Sequence, residues 1–327
     1  MRNRLTLPVL LAVTALVLSA CGTTEQAADP AAAATTPTGG PVTVTDDRGT
    51  VTLDAPAAKV VSLEWGLTEN LLTLGVAPVG AADVDGYNTW DTVIALDAAT
   101  PDVGERGEPS LDAIAALDPD LVVTTTDLAP EVIAQIEKDY PVIALRGSDA
   151  SDPIGHMRRT VEILGEATGT GDRATAALAD FDAAVADGKD TLAAAGADGA
   201  AFTMADGWLA DGAVSIRMYT AGSFLGGIAG ELGLTNAWTG EGDPDYGLSQ
   251  TDVEGLTSLG DIHFLYAASD DDGGDAFKVG LAGNAIWEQL PFVVAGNTDR
   301  LPDGIWMFGG PLAAEAFIDA AVAAVTA

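Results

Sequence analysis

The side chains able to do covalent or metal chemistry are few and scattered. One cysteine, Cys21, and two histidines, His156 and His263, are too few for an intramolecular disulfide or an all-histidine metal centre. The candidate nucleophile Ser223 lies in Ala221-Gly222-Ser223-Phe224-Leu225, without the flanking glycines of a nucleophile elbow. Gly188-Lys189 opens no phosphate loop, and Gly226-Gly227-Ile228-Ala229-Gly230 has the wrong spacing for a dinucleotide loop and reads as close helix packing. Asp270-Asp271-Asp272-Gly273-Gly274-Asp275 has the composition of a calcium loop, but Leu281 stands where the closing glutamate belongs. His263 falls in an apolar run and reads as core; His156, near a helix start, reads as surface. Binding chemistry remains. Trp65, Tyr87, Trp90, Trp238, Tyr246 and Trp306 fall in loops or just past strand ends. Aromatic rings there supply contact area at little entropic cost, on loops that a rigid scaffold positions.

Those loops need a scaffold, and its elements are legible. Val42 to Leu53 alternates around Asp47-Arg48-Gly49, as a β-hairpin does. Short apolar runs at Val60–Leu63, Leu121–Thr124 and Val142–Leu145 alternate with helical patterns at Thr68–Leu74 and Leu111–Leu117. That alternation predicts a parallel sheet with helices on both faces. Asp152 to Ala195 holds no strand-like run. Pro153 starts a helix, Thr168-Gly169-Thr170-Gly171 interrupts it, and Asp172 to Ala195 continues as one long helix. Strand candidates then recur at Ala200–Met204, Val214–Tyr219, Ile262–Ala267 and Ile305–Phe308. Helix candidates recur at Phe224–Leu232, at Asp252–Leu259 with a Thr251-x-x-Glu254 capping box, and at Ala313–Val325. The expected fold class is α/β, with two lobes joined by a single long helix: an N-terminal lobe over 42–155, a helical segment over 156–196 and a C-terminal lobe over 197–327.

With 14 Lys and Arg against 49 Asp and Glu, the 327 residues carry a net charge of −35. Such a surface repels phosphate backbones, so nucleic acid is excluded as a partner. A hydrophobic content of 48% excludes disorder over the whole length. Residues 1–20 read as a secretory signal: Arg2 and Arg4, then an apolar stretch from Leu5 to Leu18. Leu18-Ser19-Ala20-Cys21 resembles the lipobox of bacterial lipoproteins, which implies cleavage before Cys21 and a lipid anchor on its sulfur. Residues 21–41 would be a flexible tether, placing the protein on the outer face of the cytoplasmic membrane.

From Lys59-Val60-Val61-Ser62-Leu63-Glu64-Trp65 onward the sequence resembles the substrate-binding proteins of ABC importers for ferric siderophores, haem and cobalamin, with the ferric-hydroxamate type nearest. The resemblance continues through Thr68 to Gly80, Gly86-Tyr87-Asn88-Thr89-Trp90, Asp102-Val103-Gly104, Pro109 to Ile114, Pro119 to Val122, Leu232 to Trp238 and Pro291 to Gly296. It implies two Rossmann-like lobes, a ligand between them, no catalysis, and no cofactor of the protein's own, since iron arrives already chelated. It further implies that Arg106, after Asp102-Val103-Gly104, meets the iron-bound oxygens. Trp65, Trp90, Trp238, Tyr246, Trp306 and Phe308 would form the walls, with Tyr87 beside them. Arg217, in Ser215-Ile216-Arg217-Met218-Tyr219, is either a second ligand contact or half of a structural ion pair. Glu131 and Glu254 would dock a monomeric binding protein onto the permease. Cobalamin or haem binding by the same fold is the alternative, with Tyr87, Tyr219 and Tyr246 as candidate haem ligands. A surface hydrolase is a more distant third.

Overall fold

A computed structural model describes residues 39–210 and 212–327. Cys21 and the leader before it lie outside the described residues. The chain opens with a hairpin, β1 (Val42–Thr45) and β2 (Thr50–Leu53), whose turn is closed by Asp46 accepting from the Arg48 and Gly49 amides. The first lobe follows: β3 (Val60–Ser62), α1 (Trp65–Thr73), β4 (Gly80–Ala81), α2 (Val84–Trp90), a small hairpin of β5 (Gly104–Glu105) and β6 (Glu108–Pro109), α3 (Leu111–Leu117), β7 (Leu121–Thr125), α4 (Pro130–Ile136) and β8 (Val142–Leu145). Its four-stranded sheet runs β4-β3-β7-β8, all parallel. Its strands β7 and β8 are buried on both faces, as in a parallel sheet covered by helices.

Two helices leave this lobe. α5 (Pro153–Ala167) starts on Pro153, with the Asp152 side chain accepting from the Gly155 amide. α6 (Gly171–Ala195) is the long helix the sequence predicts, one residue longer at its start, and it ends on Gly196 in the left-handed conformation. The second lobe comprises β9 (Ala201–Ala210), β10 (Ala213–Tyr219), α7 (Phe224–Glu231), β11 (Thr235–Asn236), β12 (Leu248–Thr251), β13 (His263–Ala267), α8 (Pro291–Ala295), β14 (Thr298–Arg300) and α9 (Pro311–Thr326). The path through its sheet is β12-β10-β9-β13-β14, with β11 on β9. No described strand pairs across the two lobes.

Three expectations are corrected here. The second sheet is mixed: β10 lies antiparallel to both β9 and β12, because β9 turns back directly as a long hairpin instead of crossing over through a helix. Asp252–Leu259 forms only a 3-10 turn at Gly255–Ser258, opened by the Asp252 carboxylate on the Gly255 amide and not by a Thr251–Glu254 box. Ile305–Phe308 is not a strand, since β14 already completes the sheet edge, and the run instead turns back toward the first lobe.

Glu69, fully buried on α1, anchors that return. Its carboxylate accepts from the Gly310 amide at 2.7 Å and the Ala313 amide at 3.0 Å, so a residue of the first lobe caps the N-terminus of α9. Fully buried Asp91 lies near Glu69; burial and the neighbouring carboxylate push its carboxyl well above the usual range. A Cβ on Gly310 would come within 2.2 Å of Asn70 Oδ1, which is why the junction uses glycine.

Ser223 has a structural role. It is the buried N-cap of α7, accepting from the Gly226 amide and donating to the Thr220 carbonyl. Gly227 packs α7 onto the start of α5, where a Cβ would meet Pro153 at 2.8 Å. His156 is buried inside α5, a correction to its reading as a surface residue: it lies one turn into the helix, on the face turned toward the core. His263 is half-buried at the start of β13.

Candidate ligand-binding site

An open cleft of about 680 Å³ lies between the lobes. Its first-lobe wall begins at the tip of the β5–β6 hairpin. Asp102 holds this turn by accepting from the Gly104 and Val84 amides, and Gly104 adopts φ +97°, a conformation that disfavours any side chain. Arg106 and Gly107 form the tip, so Arg106 projects from a short turn stiffened on both sides. Its guanidinium lies 3.8 Å from the Trp65 ring centroid, and its Nη1 donates to Glu64 Oε1 at 2.9 Å. Neither of its chain neighbours Glu105 and Glu108 bonds it.

Glu64 thus does two jobs, pairing Arg106 and capping α1 through the Trp65 amide. Burial pushes its carboxyl above the usual range, and Arg106 pulls the other way. Trp65 is fixed by its indole N–H on the Asp83 carbonyl. Gly86 lets α2 lie against it, since a Cβ there would come 2.3 Å from the ring.

The second-lobe wall is built on β9 and β10, where Asp206 and Arg217 are cross-strand partners. Arg217 Nε donates to Asp206 Oδ1 at 3.0 Å, and Nη2 bonds the second oxygen and the Tyr219 hydroxyl. Burial raises the Asp206 carboxyl while Arg217 opposes the rise.

Between the two arginines runs a floor of rings. Trp65 and Trp306 meet edge to face at 4.9 Å, Trp306 and Phe308 at 5.2 Å, and Phe308 and Tyr246 at 5.3 Å. Met307 turns into the core but still borders the cleft. Tyr246 belongs to the second lobe, yet its hydroxyl bonds Asp127 of the first. Gly147 leaves room for that phenol, because a Cβ would come 1.8 Å from its oxygen. On the opposite side Trp90 Nε1 donates to Asp272 Oδ2 at 3.0 Å, also from lobe to lobe.

The structure therefore brings Arg106, Trp65, Trp90, Arg217, Tyr246, Trp306 and Phe308 to one cleft. Two expected members lie elsewhere. Tyr87 is wholly buried and its hydroxyl donates to the Ile94 carbonyl, because α2 turns that ring into the first-lobe core. Trp238 packs on the apolar cluster of the second lobe, carried there by the residues after β11 pairing beside β9. Sequence reasoning missed Trp208, a half-exposed ring at the end of β9 that lines the cleft, together with the carboxylates Glu64, Asp206 and Asp272. An apolar strand run ending Asp206-Gly207-Trp208 was the available signal for the ring. Nothing in the sequence pairs the carboxylates with their arginines.

Among the described residues no cluster of His, Cys, Asp and Glu is arranged to hold a metal ion, and the cleft lining contains no histidine. Of the three candidate haem ligands only Tyr246 faces the cleft; Tyr219 is buried with its hydroxyl engaged by Asp206 and Arg217. Glu131, in the first turn of α4, and Glu254, before the 3-10 turn, are both exposed, one on each lobe.

Comparison with known proteins agrees with this architecture. The chain is 28% identical over 262 residues to the iron(3+)-hydroxamate-binding protein FhuD of Escherichia coli, covering 80% of this chain and 84% of that one. A crystal structure of the siderophore-binding protein FhuD of Vibrio cholerae with Fe3+-Desferal superposes with a TM-score of 0.72 at 25% identity, over 83% of this chain and 98% of that one. The triscatecholate siderophore-binding protein FeuA of Bacillus subtilis shares the fold, with a TM-score of 0.67 at 20% identity over 87% and 98% of the two chains. The model of the periplasmic binding protein family matches residues 60–303, most of both lobes, and the chain belongs to that family.

Proposed function

We propose that this chain is the extracytoplasmic substrate-binding component of an ABC importer, and that it captures a ferric siderophore of the hydroxamate type in the cleft. The observation that carries the ligand class is the charge balance of the lining. Each arginine already has a carboxylate partner, Arg106 with Glu64 and Arg217 with Asp206, and Asp272 adds a further negative charge. A ferric catecholate or citrate complex is strongly anionic and calls for several free cations. A ferric tris-hydroxamate is neutral at the metal and presents a face of oxygens with partial charge, which one planar guanidinium can meet with several donors. The ring floor covers the organic arms without reading them in detail.

Anchoring at Cys21 and docking of the permease through Glu131 and Glu254 complete the proposal. The test is a titration followed by tryptophan fluorescence, since four tryptophans line the cleft. A ferric tris-hydroxamate quenches the emission at sub-micromolar concentration, and ferric citrate and a ferric tris-catecholate do so far more weakly. Tighter binding of either anionic complex, or of cobalamin or haem, overturns the ligand class.

A further inference from the structure

The loop between β13 and the segment starting at Ala276 carries four aspartates, and they do not behave alike. Asp270 pairs with Arg300 at 2.8 Å, turned away from the cleft. Asp275 is buried, taking the Tyr266 hydroxyl at 3.0 Å and the Lys278 amide at 2.8 Å. Asp271 is exposed and does not line the cleft. Asp272 does line it and receives the Trp90 indole N–H from the opposite lobe. Gly273 and Gly274, both at φ +74°, turn the chain back at that point. The run that resembles a calcium loop in composition therefore presents a single carboxylate to the cleft.

That carboxylate stands among rings. Ala267 pairs with Asp206 in the sheet, so the loop leaves β13 beside Gly207 and Trp208. Trp208 is 43% exposed on the second lobe, and Trp90 is bonded to the loop from the first. The Trp90 bond engages one oxygen of Asp272, and no other side chain bonds the carboxylate among the described residues. A carboxylate bonded to one indole, with a second indole in the same cleft lining, suits a primary ammonium through an ion pair and cation–π contacts.

We infer that Asp272, Trp90 and Trp208 form a rim subsite for a cationic arm of the chelate, so that a ferric hydroxamate ending in a primary amine is preferred over its neutral counterpart. The inference rests on the hydroxamate reading of the cleft and adds the charge of the ligand's periphery to it.

The experiment compares ferrioxamine B, a linear ferric tris-hydroxamate with a free terminal amine, with its N-acetylated form. Calorimetric titration is run on the wild-type protein and on Asp272→Asn, with a thermal melt of each. The wild-type protein should favour the amine by about three- to tenfold, and less as salt rises from about 0.05 to 0.5 M. The ratio should fall close to one in a folded Asp272→Asn protein. Trp208→Ala, a change on an exposed site at the strand end, should lower the ratio in the same direction. Equal wild-type affinities overturn the subsite and leave the hydroxamate reading standing, as does a preference that survives in Asp272→Asn. Binding of neither chelate overturns both.

Discussion

The two arginine corners of the cleft are built from the same parts and held differently. Arg217 is locked between strands: Asp206 takes its Nε and Nη2, and the Tyr219 hydroxyl adds a contact on a fully buried ring. Arg106 sits at a hairpin tip and makes one bond, through Nη1 to Glu64, with its flat face on Trp65. Most of the Arg106 donors are thus open to an incoming oxygen face, whereas those of Arg217 are largely spent on the fold. On the proposed function, identical side chains at the two ends of one ring floor would divide into a reader and a brace.

Changes at three positions test that division. Arg217→Ala leaves Asp206 buried without its partner and should cost about 3 kcal/mol or more of stability. It should appear as a shifted denaturant midpoint, with affinity in the surviving folded protein falling less than for Arg106. A stable Arg217→Ala protein that no longer binds would reverse the roles.

Arg106→Ala should cost about 1.5–3 kcal/mol of binding, roughly ten- to a hundredfold in Kd. Its melting temperature should move little, because the pair it breaks is partly exposed. Arg106→Lys should recover only part of the affinity, since an ammonium cannot present a planar fork. Full affinity in either variant would remove Arg106 from the reading role.

Glu64→Gln keeps an oxygen for the Trp65 amide and deletes the charge opposing Arg106. Because burial raises the Glu64 carboxyl, lowering the pH through its shifted range protonates it and leaves Arg106 uncompensated. Affinity for an anionic chelate such as ferric citrate should therefore rise several-fold as pH falls through that range. In Glu64→Gln it should already be high at neutral pH and no longer depend on this group. An unchanged pH profile in the variant would show that Glu64 does not set the charge of this corner.

The difference between the corners explains what the sequence disclosed. The place of Arg106 in the cleft was reachable through a resemblance carried by the local run Asp102-Val103-Gly104. Helix α6 was legible because no strand-like run interrupts it and a glycine ends it. The carboxylate partners were not, since Glu64 and Arg106 are 42 residues apart and only the folded sheet brings them together. Tyr87 and Trp238 occupy local contexts like those of Trp90 and Tyr246, and which face of an element turns inward is settled by packing. The direction of β10 is likewise absent from its apolar pattern, which reads the same in a parallel or an antiparallel strand.

The capping of α9 by Glu69 bears on how the molecule moves. α9 packs along α6, touches α1 of the first lobe and β13 of the second, and presses Ile318 and Val322 toward Gly188, where a Cβ would come within 3.1 Å of Ile318. The joint is thus a pair of struts laid side by side. A single rod bends equally in every direction, whereas two rods bonded along their length keep one soft axis and resist the others. Rocking within the plane of the pair must stretch one strut against the other and pull on the Glu69 anchor. A joint of this kind leaves a shallow flexing across that plane as its softer motion.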